Sequence, residues 1–182
     1  MNSVKSFYRG ISAAALALVI MAAAAAFCVV YAGNAGEADA DTGVLSLENV
    51  KKQKEITSYD LKVGDTFSIG FIHSVNKSPV TDYYELRKDG IYVVRTVYYG
   101  FGAGVQTELE DGQTLTYGED GSMIITGFDR KMEDLIYFVG TVSDHTLVIN
   151  EGEADEQTVS LRDLCGRNAM VRFSWICDPP AG

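Results

Sequence analysis

His73 and Asp82 are the side chains of this sequence best placed to do chemistry. An imidazole and a carboxylate held close together can bind a polar solute, and the carboxylate would favour the protonated ring. Both lie in the segment Phe71-Ile72-His73-Ser74-Val75-Asn76-Lys77-Ser78-Pro79-Val80-Thr81-Asp82, with Ser74 and Pro79 between them. Further on, Gly102-Ala103-Gly104 follows the aromatic run Tyr98-Tyr99-Gly100-Phe101. Glycines let a backbone come close to a ligand, and exposed amide N–H groups there can hold an anion. The same turn also serves as a plain strand-to-strand corner. It lacks the third glycine opening a helix that a dinucleotide fingerprint requires.

His73 shares strand parity with Phe67, Ile69 and Phe71, so its ring is expected to face an apolar layer. It reads either as a structural histidine that fixes register, with Asp82 as its hydrogen-bond partner, or as a ligand contact at the mouth of the fold. Ser74 points to the opposite face, so the pair cannot act as nucleophile and base. The other histidine, His145, follows Asp144, but nothing in the sequence brings it to Ser74, as a hydrolase would need. Neither histidine has a Cys or His at ligand spacing, so no metal site and no cofactor are expected. Tyr83, Tyr84, Tyr92, Tyr98 and Tyr99 can line a pocket or pack at a sheet rim.

The elements that must position these residues are strands. Short apolar runs alternate with turn signals, among them Asp89-Gly90, Asp111-Gly112, Asp120-Gly121 and Asn150-Glu151-Gly152. Strands are expected near 44–49, 54–60, 66–75, 82–88, 91–98, 113–117, 122–128, 135–140, 146–150, 156–160 and 169–176. One helical turn is expected from Ser160 to Leu164, with Ser160 and Asp163 as caps. The fold class that follows is all-β: an antiparallel β-sandwich or partly closed barrel, preceded by one N-terminal hydrophobic helix. In a meander, the end of the His73 strand, the start of the Asp82 strand and the Gly102–Gly104 corner would share one edge.

Lys5 and Arg9 precede an uninterrupted apolar run from Ile11 to Tyr31, long enough to cross a bilayer as a helix. Residues 1–32 therefore read as a signal peptide or a membrane anchor, with Val30-Tyr31-Ala32 and Gly33-Asn34-Ala35 as small-residue cleavage positions. Residues 33–43 read as a flexible acidic stem, 44–177 as one extracytoplasmic domain and 178–182 as a tail. Fifteen basic against 25 acidic residues give a net charge of −10, which argues against nucleic acid and against an anionic membrane surface as partners. Cys165 and Cys177 are the cysteines of the globular part; in an oxidising compartment they are expected to form a disulfide, the competing reading being two buried thiols.

His73-Ser74-Val75, Pro79-Val80, Asp82 and Phe101-Gly102-Ala103-Gly104 together resemble the bacterial domain-of-unknown-function family eighteen-fifty. The resemblance covers most of residues 44–176. It implies a small exported or membrane-anchored protein, encoded beside tripartite TRAP uptake transporters whose solute receptors are of the TAXI class, and it implies no established activity. The function expected from it is an accessory protein of such an uptake system. It would bind a receptor or membrane subunit, or a small organic anion, through His73, Ser74, Pro79, Asp82, Gly102, Ala103 and Gly104. The alternatives are a stand-alone structural or adhesive β domain, or a hydrolase.

Overall fold

The computed structural model describes residues 41–75, 77–100, 108–140 and 143–177. The apolar run from Ile11 to Tyr31, the stem before residue 41 and the Gly102-Ala103-Gly104 corner lie outside them. All eleven expected strands form: β1 (Thr42–Asn49), β2 (Lys54–Lys62), β3 (Thr66–Ile72), β4 (Pro79–Arg87), β5 (Gly90–Tyr98), β6 (Thr114–Tyr117), β7 (Met123–Lys131), β8 (Leu135–Phe138), β9 (His145–Ile149), β10 (Gln157–Ser160) and β11 (Met170–Cys177). Among the described residues the one helix is α1 (Leu161–Cys165); its cap is Ser160, whose side chain accepts from the Asp163 amide at 3.1 Å.

The strands make two antiparallel sheets and no closed barrel. The smaller has the order β2-β1-β11-β8, the larger β10-β9-β3-β4-β5-β7-β6. Their facing sides form one core. Leu45, Leu47, Leu135, Val171 and Phe173 of the smaller sheet meet Phe67, Ile69, Leu86, Ile91, Leu147 and Ile149 of the larger. Phe67 is 1% exposed and stacks on Tyr84 at 4.9 Å within its own sheet and on Phe173 at 5.7 Å in the other. Burying one such ring stabilises by about 1.5–3 kcal/mol, and the stacking adds to it. A second cluster of Val80, Tyr98, Met123 and Ile125 lies on β4, β5 and β7. The architecture is thus a two-sheet sandwich with a four-strand and a seven-strand layer.

Several boundaries differ from the sequence reading. β3 stops at Ile72 and β4 begins at Pro79, because the chain turns back between them: the His73 amide donates to the Ser78 carbonyl at 2.9 Å and the Lys77 amide to the His73 carbonyl at 3.0 Å. Proline has no N–H to contribute to a ladder, and Pro79 is tolerated at the first strand position, opposite Ile72. β7 runs on to Lys131 across Gly127, which lies at φ 80°.

Gly127 and Gly121 share that left-handed φ, but a Cβ on Gly121 would meet nothing within 4 Å, whereas one on Gly127 would fall on the Gly112 carbonyl oxygen. Gly121→Ala should therefore cost only the left-handed penalty, about 1–2 kcal/mol. Gly127→Ala should cost more, since β7 must also move away from residue 112. Urea denaturation of the two variants checks this, and equal losses would contradict it.

Candidate functional site

Asp82 sits on the central strand of the larger sheet, on the face turned to the core. Register aligns Leu115, Ile125, Thr96, Asp82, Ile69 and Leu147 across β6, β7, β5, β4, β3 and β9. A carboxylate is thus set in a row that is otherwise apolar apart from one hydroxyl. An unbroken β4–β5 hairpin would put Arg95 opposite Asp82, since Tyr84 pairs with Val93. A bulge in β5 inserts one residue, so Asp82 faces Thr96 and Arg95 turns to the other side, opposite Tyr83. There its guanidinium lies 3.6 Å from the Tyr83 ring centre.

What Asp82 receives in place of a cation is two hydroxyls. Thr96 donates to Oδ1 at 2.9 Å, and Tyr137, from β8 of the facing sheet, donates to Oδ2 at 2.7 Å. The hydroxyls of Tyr84 and Tyr137 are 2.7 Å apart. Because the Tyr137 proton is committed to Asp82, Tyr84 donates to Tyr137, and the chain Tyr84 to Tyr137 to Asp82 runs one way. Burial pushes the Asp82 carboxyl above its ordinary value of 3.8, and the bonds from Tyr137 and Thr96 draw it part of the way back. Burial also holds the Tyr84 and Tyr137 hydroxyls far above the usual phenol range, so both remain protonated donors.

Asp82 and His73 line one cavity of about 300 Å³. Its walls include the aromatic rings of Phe71, Tyr84, Tyr98 and Phe128, and Arg130 of β7 contributes a guanidinium. The expected His73–Asp82 hydrogen bond is not formed. Instead the Val75 amide donates to His73 Nδ1 at 3.3 Å, which places the proton of the neutral ring on Nε2. The physical reason is the tight turn after Ile72, which brings the Val75 amide to the ring nitrogen.

Phe71 and His73 also border a second cavity of about 460 Å³, shared with Ser74, Lys77, Phe138, Ser143 and His145. Ser74 and His145 are therefore brought to one space, which the sequence did not show. They do not form a triad with Asp144, whose oxygens accept from the Ser160 hydroxyl at 2.5 Å and the Arg162 amide at 3.0 Å. His145 is 8% exposed, stacks on Phe71 at 5.1 Å, and its Nδ1 has no hydrogen-bond partner. Burial lowers its pKa below the ordinary 6.5, only partly opposed by Asp144.

Pro79 is exposed at the start of β4 and does not reach either cavity. Gly100, at the end of β5, approaches the Ser78 side chain, so that strand does return to the His73 end, as the meander reading expected. The disulfide expectation is corrected: no disulfide joins Cys165 and Cys177. Cys165 closes α1 before β11 begins, with its Sγ 2.7 Å from the Leu161 carbonyl, and Cys177 ends β11 opposite Gly43. Thr96, Arg130, Tyr137 and Phe128 were missed by the sequence reading. Only Tyr84 and Tyr98 of the cavity wall had been noted as tyrosines able to line a pocket.

The charge of Asp82 has a definite sign in stability. Its native pKa is raised, so the unfolded chain releases the proton first, and stability is lost as pH rises from about 3.8 through the native value. Asp82→Asn should therefore raise the melting temperature near neutral pH, and the gain should vanish below pH 3.8. Tyr137→Phe should cost about 1.5–3 kcal/mol at neutral pH by removing a donor to a charged acceptor, and less in the Asp82→Asn background. Thermal melts across pH and a double-mutant cycle measure both.

The opposite sign holds for His145. Its native pKa is lowered, so stability is complete above about 6.5 and falls as pH drops through the native value. His145→Phe keeps a ring against Phe71 and removes the orphaned nitrogen. Its melting temperature should decline less than that of the parent between pH 6.5 and more acid conditions. Parallel declines would show that another group controls acid sensitivity.

Comparison with known proteins gives one match: residues 67–155 correspond to the family described as Domain of unknown function (DUF1850). No curated protein and no solved structure matches the chain. The matched stretch runs from β3 to just before β10 and holds His73, Asp82, Thr96, Arg130, Tyr137 and His145. The likeness first read in His73-Ser74-Val75, Pro79-Val80 and Asp82 thus extends over both cavities, and this stretch of the chain belongs to the DUF1850 family.

Proposed function

We propose that the protein works outside the cytoplasm as an accessory module of a tripartite TRAP/TAXI-type solute uptake system, and that the cavity on β4 receives a small organic solute. The apolar run from Ile11 to Tyr31 would export or anchor it, and a receptor or membrane subunit of the transporter would be its partner. The observation that carries the reading is Asp82. A carboxylate at the centre of a sheet costs folding stability unless a cation pairs with it. Here the bulge in β5 removes the one arginine that would, and an open cavity of about 300 Å³ takes its place. Such a cavity, with aromatic and aliphatic walls and several convergent polar groups, is a form that small-molecule sites take. The acidic surface, with a net charge of −10, gives no support to a nucleic-acid partner.

The test is uptake. Cells deleted for the chain should take up the transported solute more slowly, and full-length wild type should restore the rate. Asp82→Asn, present at wild-type level and equally or more heat-stable, should restore it poorly. Uptake that is indifferent to the deletion, or fully restored by the variant, would end this reading.

A further inference from the structure

We infer that the solute is a zwitterion of amino-acid class, held with its ammonium against Asp82 and its carboxylate against Arg130. This rests on the reading of the cavity as a solute site and names the chemistry of what enters it. Two opposite charges line the same space and do not meet. Among the described residues Asp82 accepts only from Thr96 and Tyr137, both neutral, and Arg130 forms no ion pair. Register explains why they stay apart. Arg130 pairs with Val93, which pairs with Tyr84, so it stands two strands across and one inward-facing position along from Asp82. At ordinary strand spacing the two Cα atoms are about 12 Å apart. Strand side chains stand roughly perpendicular to the sheet, so neither group is aimed at the other across that distance.

A ligand that carries both charges closes the gap. Its ammonium finds the free lone pairs of the Asp82 oxygens, since each carboxylate oxygen can accept more than the single bond it has. The rings of Phe71, Tyr84, Tyr98 and Phe128 line the same space and favour a cation over water. Its carboxylate reaches the guanidinium, which holds carboxylates in a two-pronged bond. A plain organic anion would bring negative charge towards an unneutralised carboxylate. A plain amine would leave the guanidinium unused and repelled. The cavity volume of about 300 Å³ suits a solute of this size.

The experiment is a thermal-shift and titration series on the full-length chain in mild detergent, with the twenty standard L-amino acids, their decarboxylated amines and their deaminated acids. At least one amino acid should raise the melting temperature by several degrees at saturation. Its amine and its acid should each bind at least roughly tenfold more weakly, since each lacks one charged hydrogen-bonding group. Asp82→Asn should lose selectivity for the amino group, and Arg130→Gln selectivity for the carboxylate, with both variants melting at or above the parent temperature. A deaminated acid or an amine that binds as tightly as the amino acid overturns the zwitterion assignment and leaves the solute-site reading standing. Absence of a shift with every compound also overturns it; if uptake is at the same time indifferent to deletion of the chain, the solute-site reading falls with it.

Discussion

One extra residue in β5 decides the chemistry of this domain. Had the β4–β5 hairpin kept its register from the Lys88-Asp89 turn onward, Arg95 would stand opposite Asp82 and neutralise it within the sheet. The inserted residue flips every side chain beyond it, since strand side chains alternate with a period of two. Arg95 goes to the outer face and stacks on Tyr83, and Thr96 comes inward with a hydroxyl. From that point the remaining features follow. Asp82 needs further donors, Tyr137 crosses from the smaller sheet to supply one, and Tyr84 backs Tyr137. The distance between the sheets at this end is thus set by a hydrogen bond to a carboxylate as well as by apolar packing.

A second irregularity, on β7, complements the first. Between Thr126 and Arg130 that strand carries two more residues than β5 does between its paired positions, and Gly127 makes the detour possible by lying against residue 112. The outcome is that Arg130 turns towards the cavity that Asp82 lines. Both bulges lie near the Asp82 end of the hairpin, where bulges serve to re-aim side chains. The sheet is regular where it only has to pack, as along Phe67, Ile69, Leu147 and Ile149.

Much of this was legible in the sequence. Alternation and turn pairs gave all eleven strands, because each signal is local and a hairpin needs little else. Ser160 was readable as a helix cap for the same reason. His73 and Asp82 were found as candidates, and the cavity that both line agrees with their proximity. Their direct hydrogen bond was not borne out, since it depended on where Val75 and Tyr137 would lie, and neither is fixed by local pattern. Thr96 was hidden by the bulge: counting outward from the turn leads to Arg95. Tyr137 and Arg130 were hidden by pairing across sheets and by the β7 detour. The Cys165–Cys177 bond was not borne out, since spacing along the chain does not say which residues the fold brings together.

The lengths of the outer strands carry a consequence for the protein among many other chains. The seven-strand sheet ends in β10 and β6 and the four-strand sheet in β8, each only four residues long. A foreign strand laid against any of them would gain few main-chain bonds. The fourth boundary, β2, is nine residues long, but it places Lys54, Glu55, Asp60 and Lys62 along its length. Pairing with a copy of itself would crowd those charges together, which is how natural sheets resist stacking edge to edge. Each outer strand is thus either short or charged, so the folded domain gives a foreign strand little to pair with.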